Sequence, residues 1–400
     1  MSDPVIVGAG MTRFARDKTS TLKSLAEAAV TAALTDAGLD AADIDLVVAG
    51  NAAAGLTTGQ EMIRAQVELS GTALGGVPML NVENACATSS SALHVATMAV
   101  RSGEYETVLV LGTEKMTSED KTATLAAIAS GADVSQLAAY TRELTGRDGP
   151  AESFFMEVYA QLARDYMERT GATPADFAQV AVKNHHHGTL NPNAQYREEV
   201  TVEQVLASRM VADPLTVMMC SPIADGGAAL VVTSAERAST RRDPARAVHI
   251  RASATVSGVA GGSSPSPAER AAARAYAQAG IGPGDLHVVE VHDAAAPSEL
   301  MIYEELGLCP ADGGAELLRS GATALGGRVP VNPSGGLTSK GHPLGATGCG
   351  QIVELVEQLR GEAGDRQVDG ARFALAENGG GYLHPDPAVC VITILEKAER

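Results

Sequence analysis

Short apolar runs of strand character alternate with longer stretches of helical periodicity, and this alternation occurs twice along the 400 residues. In the first round, strands are expected at 4–8, 45–49, 77–83 and 107–112, with helices at about 23–37, 60–69 and 87–102 between them, and a strand at 229–234 closes the set. The second round reads as strands 247–257 and 287–291, further strands near 371–376 and 388–395, and helices 267–279, 297–306 and 345–361. Strands separated by helices imply α/β architecture with parallel sheets buried on both faces. Four hundred residues exceed one ordinary core, so two halves are expected, 1–240 and 245–400, with a helical insert over about 115–220 in the first.

Residues 332–348 interrupt that rhythm. Five glycines and two prolines in seventeen residues oppose a regular helix or a central strand, through backbone entropy and lost donors. The run presents one imidazole, His342, between Gly341 and Pro343, and then opens into the apolar helix that carries Ile352 and Val356. A loop histidine is most often structural, so its meaning depends on a nucleophile elsewhere. Cys86 is that candidate. It follows the strand ending at Glu83 and precedes an apolar run too long for a strand, so it sits at a strand-to-helix junction. Free amides and the helix dipole at such a point favour thiolate over thiol, and small neighbours (Ala85, Ala87, Ser89) leave the sulfur reachable. The plain alternative is a small buried hydrophobe.

Together these segments resemble the thiolases. Asn84 to Ser90 is similar to the nucleophile loop, and Gly341-His342-Pro343 to the loop whose histidine activates that cysteine. Val291 to Ala295 falls where thiolases carry an oxyanion-hole loop, and Glu377 to Gly381 where they carry the last catalytic loop. The histidine-aspartate pair His292-Asp293 is that of the sterol-carrier-protein-x and archaeal subgroup. The segments 112–116, 183–192 and 220–226 add support, and the resemblance runs from about residue 5 to 395. It implies the five-layered αβαβα thiolase fold, a loop domain over the pantetheine tunnel, a coenzyme A thioester as substrate, no bound cofactor and no metal. It further implies a homodimer or dimer of dimers, and in this subgroup a small zinc-ribbon/OB-fold partner.

The roles implied are specific. His342 takes the proton of Cys86, which attacks an acyl thioester to give an acyl-enzyme. The backbone N–H groups of Cys86 and of Gly379 or Gly380 hold the tetrahedral oxygen, while His292 and His342 hold the carbonyl of the second substrate. Met116, His187 and Ser334 are expected along the substrate path. In the triple histidine 185–187, adjacent side chains cannot converge on one metal, and the segment reads as a helix C-terminus.

One agent is missing. The second cysteine that handles the carbon-bound proton in thiolases is replaced by Ala294 in one alignable position and by Glu377 in the other. General base catalysis contributes about 10²–10⁴-fold, so simple acetyl-CoA condensation is expected to be slow. Three readings stay open: Glu377 or a histidine replaces the thiol, as a carboxylate does in hydroxymethylglutaryl-CoA synthases; the acceptor is an activated aromatic carbon, as in phloroglucinol acetyltransferases; or the reaction is cleavage of a bulky β-keto acyl-CoA. Ala295, in place of the subgroup's aromatic residue, is expected to widen the pocket. From another class comes a catalytically silent lipid-binding or scaffold subunit, opposed by the presence of Cys86, His292 and His342 together.

Composition narrows the setting. A net charge of −18 opposes nucleic acid and anionic membrane as partners. There is no run of eighteen apolar residues and no signal-peptide pattern, and five scattered cysteines (86, 220, 309, 349 and 390) fit a reducing compartment and form no CxxC metal motif. A cytoplasmic enzyme is the expectation.

Overall fold

The computed structural model describes residues 2–118, 121–146, 153–241 and 243–398. Of the expected insert, 119–120 and 147–152 lie outside the described residues. Eleven strands follow in chain order: β1 (Pro4–Met11), β2 (Leu46–Gly50), β3 (Met79–Val82), β4 (Thr107–Glu114), β5 (Met210–Ala212), β6 (Leu215–Thr216), β7 (Gly226–Ser234), β8 (Val248–Ser257), β9 (Val288–Glu290), β10 (Phe373–Gly380) and β11 (Val389–Lys397). Nine of them form a hydrogen-bonded series, β3-β2-β4-β7-β1-β8-β11-β10-β9, and β5 and β6 form a hairpin apart. The join between the two rounds is slight: β1 meets β8 only through Val5↔His249 and Ile6↔Val248.

The layers follow from side-chain alternation. Along β7, Ala228, Leu230 and Val232 face inward to the middle of the molecule, while Ala229 and Val231 face the outer helix Leu22–Ala37. The middle layer is the helices Thr88–Ser102 and Thr347–Arg360, whose Leu93, Ala96, Ile352 and Val356 pack with residues of both half-sheets. Pro267–Ala279 and Ala296–Glu305 cover the far face with Ala271, Ala275, Leu300 and Tyr303 against Leu375, Ile392 and Ile394. The order is αβαβα.

Two expectations are corrected. The sheet is mixed, since only β2–β3, β2–β4 and β9–β10 are parallel and the central pairings are antiparallel. Apolar runs report burial on both faces, and burial does not encode strand direction. The glycine-rich run 332–348 also holds a five-residue helix, Gly336–Lys340. The Asp293 carboxylate caps it, accepting from Leu337 N–H at 2.6 Å and Thr338 N–H at 3.3 Å, which supplies the donors' partners that the sequence around them lacks. Among the described residues no helix is long and apolar enough to cross a membrane.

Candidate active site

Cys86 lies in a single 3₁₀ turn, Ala85–Ala87, between β3 and the helix Thr88–Ser102. The turn is tied locally: Ala85 N–H donates to Glu83 Oε1 at 2.6 Å, and the Thr88 hydroxyl donates to Ala85 O at 2.6 Å. Ala85 has φ +48°, a left-handed conformation that costs a non-glycine residue roughly 1–3 kcal/mol and is typical of functional turns. Opposite this turn runs the end of β10. A Cβ on Gly380 would meet Asn84 O at 2.4 Å, so only glycine lets the strand lie against the nucleophile turn.

Two histidines complete the group. The ligand atoms of Cys86, His292 and His342 all lie within 4.8 Å of one another. His292 Nε2 and His342 Nε2 are 3.4 Å apart, and the rings meet edge to face. The Thr347 hydroxyl donates to Pro343 O at 3.0 Å, so its oxygen accepts from His342 Nδ1 at 2.7 Å. That pattern assigns the proton to Nδ1 and leaves the Nε2 lone pair facing Cys86 and His292. The same spacing would admit a thiophilic cation such as Zn²⁺, with loss of the thiol proton on binding.

The resting charge state differs from the expected thiolate. Burial, then the charges of Glu114 and Glu83, push the Cys86 thiol from its ordinary 9.0 up to about 12, against N–H groups of Gly381 and of Cys86 itself. That shift costs the thiolate roughly 4 kcal/mol, whereas a helix N-terminus returns at most about 2 kcal/mol. Burial wins. Burial also lowers His292 to about 4, and burial with the neighbouring His292 lowers His342 well below the usual imidazole range. The site therefore rests as a neutral thiol beside two neutral imidazoles, and His342 must take the proton as the sulfur attacks. Of the expected oxyanion donors, Gly379 and Gly380 line the same cavity as Cys86, and the N–H of Gly381 faces the sulfur as well.

The cavity has a volume of about 480 Å³. Its floor is Cys86, His292, Ala294, His342 and the glycines 379–381, and its roof is apolar, with Leu125, Ile128, Phe155, Met156 and Tyr159 from the insert. Met116 lines it too. His187 and Ser334, expected on the substrate path, are elsewhere. His187 Nδ1 is 2.9 Å from Asn332 O and its Nε2 accepts from Leu325 N–H, while Ser334 donates to Glu290 Oε2 at 2.7 Å. Both are buried in the polar network behind the site. The three histidines 185–187 contact three different partners, Glu198 O, Glu199 Oε1 and Asn332 O.

Glu377, the expected substitute acid/base, stands behind His292 and outside the cavity lining. Its Oε2 accepts from His292 N–H at 2.9 Å and its Oε1 from the Cys390 thiol at 3.5 Å, and burial raises it to about 7. Ala295 is also turned away: it packs in the far core, whereas Ala294 faces the cavity, so Ala295 does not widen the pocket. The sequence reading missed Tyr159 and Cys220, which both line the cavity. Tyr159 looks like one more core aromatic on a helix. Cys220 reaches the site only because Ser221 N–H pairs with Ala294 O at 2.9 Å across the fold.

The chain is similar to known proteins along nearly its whole length. The family description "Thiolase, N-terminal domain" matches residues 4–236 and "Thiolase C-terminal domain-like" matches 256–393. An acetyl-CoA acetyltransferase of Methanothermobacter thermautotrophicus is 38% identical over 387 residues, 95% of this chain and 97% of that one. Sterol carrier protein 2 of Gallus gallus is 36% identical, covering 93% of this chain and 69% of that protein. Benzoylsuccinyl-CoA thiolase subunit BbsB of Thauera aromatica is 35% identical over 91% of each. Among solved structures, the Ltp2-ChsH2(DUF35) aldolase superposes with a TM-score of 0.78 at 28% identity, covering 99% of this chain and 98% of that one. Human mitochondrial 3-ketoacyl-CoA thiolase shares the fold, with a TM-score of 0.73 at 18% identity over 100% of this chain and 98% of that one.

Proposed function

The chain belongs to the thiolase family of acyltransferases, and we propose that it forms an acyl-enzyme on Cys86 while cleaving a β-keto acyl-CoA with a bulky acyl part. The observation that carries this reading is the meeting of Cys86, His292 and His342 within 4.8 Å at the floor of an apolar cavity. His342 Nε2 accepts the thiol proton as sulfur attacks the keto carbon. N–H groups of Cys86 and the 379–381 segment hold the alkoxide, and His292 donates to the thioester oxygen as the carbon–carbon bond breaks.

The bulky substrate is supported by the aromatic roof and by alanine at 294, where a cysteine would narrow the floor. A relative whose name specifies benzoylsuccinyl-CoA adds weight. We read 1–240 and 245–400 as two halves that contribute the nucleophile and the histidines respectively. A scaffold role is disfavoured because nothing in the arrangement of the three side chains is broken.

The assembly is read as a homodimer. Among the described residues strand β3 pairs only with β2, and near it Leu80, Met62, Ile63 and Val67 are exposed, which is an edge that a second copy would cover. The descriptions of two relatives, a thiolase subunit and a DUF35-containing aldolase, support a small partner chain.

Intact-mass measurement after incubation with acetyl-, benzoyl- and 3-phenylpropionyl-CoA tests the acyl-enzyme. We expect one acyl adduct that disappears in Cys86→Ala. An adduct that persists there, on Cys220 or Cys309, would overturn the assignment.

A further inference from the structure

We propose that Tyr159 is the proton donor to the carbanion released on carbon–carbon cleavage, in the place of the absent second thiol. The inference rests on the acyl-enzyme reading above.

Tyr159 stands on the insert helix Phe154–Thr170, which packs against the helix Ala296–Glu305 that follows the His292 loop. The ring is seated on the far core, and the side chain lines the cavity that holds Cys86, His292 and His342. Among the described residues its hydroxyl has no hydrogen-bond partner, and it is not sealed in the interior. Tyrosine hydroxyls against a core ordinarily find a partner, and that of half-buried Tyr159, on the cavity wall, is left open to a substrate. The rival groups are engaged. The Cys220 thiol donates to Thr216 O at 3.4 Å, and Glu377 accepts from the backbone of His292 outside the cavity. Burial above all, with the carboxylates of Glu377 and Asp293, holds the phenol in its protonated form.

A protonated phenol suits cleavage better than condensation. Cys86 sulfur bonds to the β-keto carbon, and its proton passes to His342. The bond between the α and β carbons breaks with its electron pair going to the α carbon, and Tyr159 O–H places its proton there, leaving a phenolate. The incoming CoA thiol, with an ordinary pKa near 8.5, gives its proton to that phenolate. The CoA sulfur then displaces Cys86 from the acyl group, and Cys86 recovers its proton from His342. Every proton is returned. In the opposite direction the phenolate would be scarce at neutral pH, so α-proton removal is slow and grows with pH.

The test follows α-hydrogen exchange of acetyl-CoA and 3-phenylpropionyl-CoA in D₂O by mass spectrometry, beside acyl loading of Cys86. In the unmodified chain, exchange should rise roughly tenfold per pH unit between pH 7 and 9, as expected where only the deprotonated form of an acid above that range reacts. Tyr159→Phe should lose about 10²-fold or more of that exchange and keep Cys86 loading within about threefold. Tyr159→Cys should recover part of it with a pH profile displaced to lower pH. Exchange that survives in Tyr159→Phe, or that is lost in Cys220→Ser and not in Tyr159→Phe, overturns the proposal. So does equal loss of loading and exchange in Tyr159→Phe, which marks a structural role. Absence of exchange in an unmodified chain that still loads Cys86 counts against Tyr159 alone. Failure of the unmodified chain to load any acyl group removes the underlying reading and this proposal with it.

Discussion

The floor and the roof of the cavity are built by opposite means. The floor is polar and cross-bonded. Asp293 alone accepts from Leu337 N–H, Thr338 N–H, the Thr338 hydroxyl and Asn184 Nδ2, and so binds the His292 loop to the helix that leads into His342. Glu114 accepts from Ala52, Ala53 and Gly345 N–H and joins the nucleophile side to the same loop. The roof is a packed apolar surface from the insert, with Phe155, Met156 and Tyr159. The difference teaches a division of labour: hydrogen bonds fix the atoms that react, and shape alone selects what reaches them.

That division can be broken from either side. The largest effect is expected from the floor. Asp293→Ala strands at least three buried donors at about 1–3 kcal/mol each, so it should lower stability by at least about 3 kcal/mol in urea unfolding and remove acyl loading. If loading persists at near-normal rates in a folded variant, the floor is not the device described. From the roof, Phe155→Ala should cost about 1–3 kcal/mol, because the half-buried ring packs on Phe154, but should leave acetyl loading almost unchanged. It should lower kcat/KM for an aromatic acyl-CoA about tenfold relative to acetyl-CoA, the scale of one lost apolar contact in a pocket. Equal loss for both substrates would show that the roof is not selective.

The smallest effect concerns pH. Glu114, Asp293 and Glu377 are raised to about 7 and Glu68 to about 8, mainly by burial. Their folded pKa values lie above the unfolded ones. The stability they contribute is therefore present at low pH and is lost as pH rises through 7 to 8. Above pH 7.5, a full unit over the unfolded imidazole value, the depressed histidines are neutral in both states and drop out. Thermal midpoints should thus fall between pH 7.5 and 8.5. Glu377→Gln should flatten the fall by less than about 1 kcal/mol and leave acyl loading within a few-fold. A rising midpoint over that window would contradict the buried-carboxyl account.

Several site features were legible in the chain because they depend on local chemistry. Cys86 at a strand-to-helix junction, His342 in a glycine-lined loop and His292 beside Asp293 are each marked by their immediate neighbours. So were the nine strands of the main sheet and the helices between them: the helix expected at 267–279 is Pro267–Ala279, and the strand expected at 247–257 is Val248–Ser257. The helix expected at 60–69 shrank to Arg64–Glu68, since a short segment without a cap is held only by what it packs against.

Sequence alone therefore determined the family, the order of elements and which loops carry thiol and imidazole. Those follow from periodicity, turn residues and short motifs, which act over a few neighbours. Only the tertiary structure decided that the sheet is mixed, that Ala294 and not Ala295 faces the cavity, that His187 and Ser334 serve the buried network, and that Tyr159 lines the cavity that holds the nucleophile. It also decided the protonation of Cys86, because a thiol's charge state is set by how much water and which carboxylates surround it. Those surroundings come from segments far apart in the chain, and no local pattern encodes them.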